Sequence, residues 1–160
     1  FFLLAEGLTT HKKTRWIRKM NLLKHNKTLV ILLILLPLST FAQKERSLMR
    51  KGNKAFRNKN YTEAEISYLK ARDRAPGDKK ISYNLGDALY GQNKFEQARE
   101  WFEDANTGLQ DSKLLAQSYF NIGDTFLKEK KWEDAMKAFA MAMRYNPEDR
   151  KAKENYTFAA

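Results

Sequence analysis

Residues 83–105 read YNLGDALYGQNKFEQAREWFEDA, and this stretch decides the fold because its landmarks recur on both sides of it. Gly86 sits in YNLGDAL, Gly52 in RKGNKAF and Gly123 in FNIGDTF. Nine residues after each glycine stands a ring (Tyr61, Phe95, Trp132), and twelve after stands an alanine (Ala64, Ala98, Ala135). Sixteen after comes a second ring (Tyr68, Phe102, Phe139), and nineteen after a second alanine (Ala71, Ala105, Ala142). Gly52 and Gly86 are 34 residues apart, the period of a two-helix repeat. A small residue lets two helix backbones approach, and a ring from the neighbouring helix fills the remaining space at native packing density. Each unit therefore reads as a first helix carrying the glycine and a second carrying the alanines. In the last unit Ala135, Ala138, Phe139 and Ala142 follow the i, i+3, i+4, i+7 stripe of an amphipathic helix. One helix pair cannot bury such a stripe alone, so the units must stack.

The small and large residues at these offsets resemble the signature of the tetratricopeptide repeat (TPR) family. The resemblance implies an all-α fold of three helix-turn-helix repeats, stacked as a short right-handed solenoid and closed by a C-terminal capping helix. The repeats run from about 45 to 78, 79 to 112 and 113 to 149, with the cap over 150–160. Breaks are expected at Asn58–Asn60, Ala75–Asp78, Gly91–Asn93 and Asn146–Pro147, with glycine supplying positive φ, proline stopping helices and Asn or Asp capping them. Between Gly86 and Gly123 the spacing stretches to 37, and the three extra residues are assigned to a lengthened turn at Asn106–Ser112. In the cap, Ala152, Tyr156 and Phe158 should cover the third repeat while Lys151, Lys153 and Glu154 face water.

The chain before Gln43 reads differently. Residues 1–19 look like upstream sequence, and residues 20–42 like a secretory signal. Lys24 and Lys27 precede the apolar core TLVILLILLPL, and Thr40 and Ala42 supply small residues for cleavage before Gln43. The core from Thr28 to Leu38 has 11 residues, short for a bilayer span. The expectation is a periplasmic or exported TPR domain, residues 43–160, with membrane attachment only through an uncleaved signal. The whole chain carries 30 basic and 19 acidic residues, net +11. Seven basic residues and one acidic residue precede Gln43, leaving 23 against 18, or +5, over 118 residues. That is a mixed surface, not the concentrated basic face of a nucleic-acid binder. Both histidines, His11 and His25, lie in the removed part, and cysteine is absent throughout. The mature part thus lacks Cys nucleophiles, His bases and the ordinary N/S metal ligands. No catalytic residue, metal or cofactor is expected.

The TPR resemblance implies that the first helix of each repeat lines a concave groove. By position, the groove-facing candidates are Arg46, Met49, Arg50, Asn53, Phe56 and Arg57 in repeat 1. In repeat 2 they are Tyr83, Asn84, Asp87 and Tyr90, and in repeat 3 Gln117, Phe120, Asn121, Asp124 and Leu127. The groove is then basic at its first end, lined by amides and rings beyond, with two carboxylates further along. Amides can bond an extended peptide backbone, and arginines suit carboxylates in bidentate geometry. One TPR subclass clamps a C-terminal carboxylate with Lys, Arg and Asn on these helices. Asn53 and Asn84 match that set, whereas Met49, Gln117 and Asn121 stand in place of its cations. Asp87 and Asp124 invite a paired-carboxylate reading, but one repeat position copied twice accounts for them without chemistry.

The signal ending LPLSTFAQ, the first repeat ERSLMRKGNKAFRNKNYTEAEISYLKA and the three-repeat body resemble the small exported TPR protein of the Bat (aerotolerance) group. That resemblance implies a protein partner in the groove, with membrane-attached von Willebrand A-domain proteins as candidates, and the mixed surface charge speaks against nucleic acid. A self-associating envelope scaffold that uses its convex face, as a homo-oligomer, is the alternative. An enzyme subunit is a remoter one.

Overall fold

The computed structural model describes residues 44–160. The readings of residues 1–19 and of the signal segment lie outside them. Among the described residues the chain forms seven helices and no strand: α1 (44–57), α2 (Tyr61–Arg72), α3 (Lys79–Gly91), α4 (Phe95–Asn106), α5 (Ser112–Lys128), α6 (Trp132–Tyr145) and α7 (Arg150–Ala159). Pairs α1–α2, α3–α4 and α5–α6 are the repeats, and α7 packs on α6 as the cap. Consecutive helices from α2 to α7 all pack on one another, which gives the continuous core of a solenoid.

The spacings of the sequence become contacts. A Cβ placed on Gly86 would lie 2.5 Å from the Phe102 ring, and one on Gly123 would lie 2.7 Å from Phe139. Gly52 meets Tyr68 in the same way. The ring sixteen residues on therefore occupies the space that the glycine leaves open. Ala64, Ala71, Ala98, Ala105, Ala135 and Ala142 are fully buried, so each second helix lies close to its neighbours. In the first two repeats the ring nine residues on packs against the first helix of its own unit, whereas Trp132 of the third is exposed and meets Phe158 of α7. Phe56 meets Tyr61 edge-on at 5.4 Å and Tyr90 meets Phe95 at 5.5 Å.

Four details depart from the expectations. Positive φ at the turns inside the repeats belongs to Lys59, Asn93 and Lys130, and Gly108 is the glycine that adopts it. At each such turn two backbone N–H groups close back on the helix. Lys59 N–H reaches Phe56 O at 2.9 Å and Asn60 N–H reaches Ala55 O at 2.9 Å, with Asn93/Lys94 and Lys130/Lys131 repeating the pattern. This is the Schellman closure, carried without glycine. Gly91 is the last residue of α3, and it is small because Tyr61 of the preceding repeat lies against it, 2.6 Å from where a Cβ would stand.

The extra residues before Gly123 do not lengthen a turn. Asp78 and Asp111 are the N-caps of α3 and α5, each accepting a backbone N–H two residues on. Gly86 follows its cap by eight residues and Gly123 by twelve. The surplus has become an added turn at the start of α5, where Leu115 is buried. At the cap, Ala152 is buried and Tyr156 half-buried as expected, but Phe158 is 71% exposed. Ala159 takes the buried place, and Phe158 stands edge-on to Trp132 at 5.9 Å.

Candidate functional site: the face of the first helices

Helices α3 and α5 are joined by side chains across their shared inner face. The Asn121 amide donates to Asp87 Oδ1 at 2.9 Å and to the Tyr83 hydroxyl at 3.0 Å. The Tyr90 hydroxyl donates to Asp124. These residues are 34 to 38 positions apart, and only the stacking of repeats brings them together. Burial pushes the Asp87 carboxyl up to about 7, with the Asn121 bond opposing it. Burial likewise raises Tyr83 to about 12, reinforced by the Asp87 charge. Tyr90 is raised by burial and by its bond to Asp124. Asp87 is thus a carboxylate in a poor solvent, held by one neutral donor.

In repeat 1 the pattern differs. Asn53 Oδ1 accepts from the Tyr68 hydroxyl at 2.8 Å, and burial pushes that phenol up to about 12. Met49 and Phe56 pack against the first core cluster, so they are partly structural. Arg46, Arg50 and Arg57 are exposed, spaced at i, i+4 and i+11 along one stripe of α1. Among the described residues none of the three makes an ion pair, whereas Lys51 on the same helix is paired to Glu63 at 2.8 Å.

The sequence-derived set therefore divides. Asn53, Tyr83, Asp87, Tyr90, Asn121 and Asp124 are held by internal hydrogen bonds. Phe120 packs on Phe139 at 5.5 Å, and Leu127 lies against the last core cluster. Arg46, Arg50, Arg57 and Gln117 are exposed, and Asn84 is half-buried with no side-chain hydrogen bond among the described residues. Those five are available to a partner.

Sequence reasoning missed the ties on the other side. Arg99 is buried: its guanidinium sits 4.3 Å over the Phe126 ring, bonds Thr125 Oγ1 at 3.3 Å and pairs with Glu129 at 2.7 Å. Arg72 stacks 4.4 Å over Trp101, joining repeats 1 and 2. An arginine one turn after a ring of its own helix, as Arg72 follows Tyr68 and Arg99 follows Phe95, carries no signal of its own until the next repeat is in place. A cleft of about 590 Å³ opens between α4 and α6, floored by Tyr119, Ile122 and Phe126 of α5.

Stacked helix pairs with glycine–ring contacts and a bonded polar inner face define a helical-repeat scaffold. The chain belongs to the tetratricopeptide repeat family: its family descriptions match residues 49–110 and 116–149. The chain is 32% identical over 111 residues to the Protein STIP1 homolog of Dictyostelium discoideum, covering 67% of this chain and 19% of that protein. It is 29% identical over 108 residues to RNA polymerase II-associated protein 3 of Rattus norvegicus, covering 68% and 16%. The chain thus spans under a fifth of the length of these relatives. Among solved structures, the first TPR of Spaghetti (RPAP3) bound to HSP90 peptide SRMEEVD superposes with a TM-score of 0.66 at 26% identity, covering 73% of this chain and 90% of that one. The Arabidopsis OM64 TPR domain gives a TM-score of 0.68 at 18% identity, covering 74% and 96%, a likeness of fold.

Proposed function

We propose that this protein is a non-enzymatic interaction module that takes a peptide segment of a partner protein on the inner face of α1, α3 and α5. The observation that carries the reading is the division of that face. Five polar groups hold repeats 2 and 3 together and Asn53 ties the two helices of repeat 1, while Arg46, Arg50, Arg57, Asn84 and Gln117 beside them make no side-chain bond among the described residues. The similar TPR of Spaghetti holds the peptide SRMEEVD, which supports a peptide as the occupant. The terminal-carboxylate clamp is a poor model for this chain. Met49 and Gln117 bring no charge, and Asn121 is committed to Asp87 and Tyr83.

The working setting is the periplasm, after cleavage between Ala42 and Gln43, next to a membrane-attached von Willebrand A-domain protein as in Bat-type assemblies. Support for this finer reading is the basic start, apolar core and small-residue ending of residues 20–42. The test is capture from envelope extracts on the tagged full chain, with a matched Arg50→Glu/Asn84→Ala bait. Both substitutions fall on side chains outside the internal network, so the bait should melt like the parent. A protein held by the first and lost by the second identifies the groove and its partner. Equal recovery on both baits moves the binding surface to the outer face.

A further inference from the structure

Four half-buried carboxylates elsewhere in this array have a cation beside them, while Asp78 and Asp149 accept the backbone N–H groups of the helices they cap. Glu63 pairs with Lys51 at 2.8 Å, Asp104 with Lys79 at 3.4 Å, Glu65 with Lys94 at 3.5 Å and Glu129 with Arg99 at 2.7 Å. Asp87 and Asp124 are the contrast. Both are half-buried on the inner face, and among the described residues they meet only neutral donors, Asn121 and the Tyr90 hydroxyl. The same face carries the opposite imbalance on α1, where Arg46, Arg50 and Arg57 are exposed and pair with no carboxylate among the described residues. A groove with uncompensated cations at one end and uncompensated carboxylates beyond them is complementary to a ligand with the charges in the reverse order. Such complementarity sets register and excludes wrong partners more than it adds raw affinity.

Resting on the groove reading above, we infer that the bound segment is charge-segregated: acidic where it passes α1, and carrying a lysine or arginine where it passes Asp87 and Asp124. The ligand ammonium or guanidinium supplies the counter-charge that the fold withholds, and internal side chains, not a terminal carboxylate, identify the partner. A pH signature follows. Asp87 is faced by Tyr83 on its own helix, Tyr68 from α2 and Asn121 from α5. Both phenols are held near 12, so the carboxyl is the group of this set that titrates near neutrality. The cation requires it ionised.

The probes are three blocked, amidated twelve-residue peptides of one composition of Glu, Lys, Leu and Ser. Two carry a Glu block and a Lys block, in either order; the third alternates the charges. Binding to the full chain is read by fluorescence anisotropy at low salt. One block order should bind about tenfold tighter than the alternating peptide. Its affinity should rise about tenfold from pH 6 to pH 8, as the ionised fraction of a group near 7 grows. Asp87→Asn keeps an acceptor for Asn121 and should abolish that pH gain, which controls for His11 and His25. Arg50→Glu should erase the preference for the block order. Equal binding of block and alternating peptides, no binding of either block peptide, or a block preference that survives both substitutions overturns the inference. The groove reading fails separately, when the envelope partner is held equally by the Arg50→Glu/Asn84→Ala bait.

Discussion

Phe102 is fully buried against Gly86, and the space between them is smaller than a methyl group. Alanine at 86 would gain about 1 kcal/mol of helix propensity. It would lose more by driving a Cβ to 2.5 Å from a ring with nowhere to move, since overpacking costs roughly 1–3 kcal/mol. Urea unfolding of Gly86→Ala should show a net loss of up to about 2 kcal/mol. Gly77, where an added Cβ would meet nothing within 4 Å, is the control and should lose nothing. The second residue-scale prediction concerns Asp87. Its carboxyl is raised from 3.8 to about 7 by burial, so between those values the folded state holds a proton that the unfolded chain has released. Stability therefore falls as pH rises through that window. Asp87→Asn should be close to neutral at pH 4 and stabilising by roughly 1–3 kcal/mol at pH 8. A pH-independent difference between the two proteins would contradict this. Glycine–ring pairs were legible because their spacing recurs along one chain. The Asn121 bonds were not, because nothing local distinguishes Asn121 from Asn84, its counterpart one repeat earlier. The presence of Asp87 across the helix interface decides it.

At the scale of the element, α3 and α5 start where an aspartate can accept their first N–H groups, and α7 does the same with Asp149. Those caps were legible as turn chemistry. The closures at the other ends were misassigned, because sequence reasoning hands positive φ to glycine. Here Lys59, Asn93 and Lys130 take it, while Gly91 is reserved for the Tyr61 ring. A lysine in the left-handed region carries a steric cost of roughly 1–2 kcal/mol. Part of that returns when glycine is substituted, less the added chain entropy. Lys130→Gly should therefore stabilise by about 0.5–1 kcal/mol in chemical denaturation. Equal or lower stability would mean that the lysine stem contributes packing at this turn.

For the molecule as a whole, a terminal repeat must be covered or it exposes its apolar side. Ala152 and Ala159 of α7 are buried, and Tyr156 packs with Phe120, Leu127 and Met136 around Phe139. Removing residues 150–160 should lower the melting temperature and give a mass in light scattering that rises with concentration. Unchanged melting with monomeric elution would show that the third repeat closes itself. The three-repeat order was legible from the recurring spacing, and the cap from the family resemblance together with Ala152 and Tyr156. The placement of Phe158 was not: helical phase turns it about 120° away from Ala152, and it stands edge-on to Trp132 while Ala159 takes the buried place. The charge order of the inner face was legible as a list of residues. Which of those charges stay uncompensated depends on inter-repeat partners that a single repeat does not contain.

The added turn at the start of α5 also restricts how this family member can change length. A loop absorbs one residue as easily as three. A helix capped at Asp111 and locked at Gly123 does not, because each residue removed between them turns the cap by about 100° around the axis. Removing three or four residues here should therefore leave the fold intact, whereas removing one or two should lower its melting temperature.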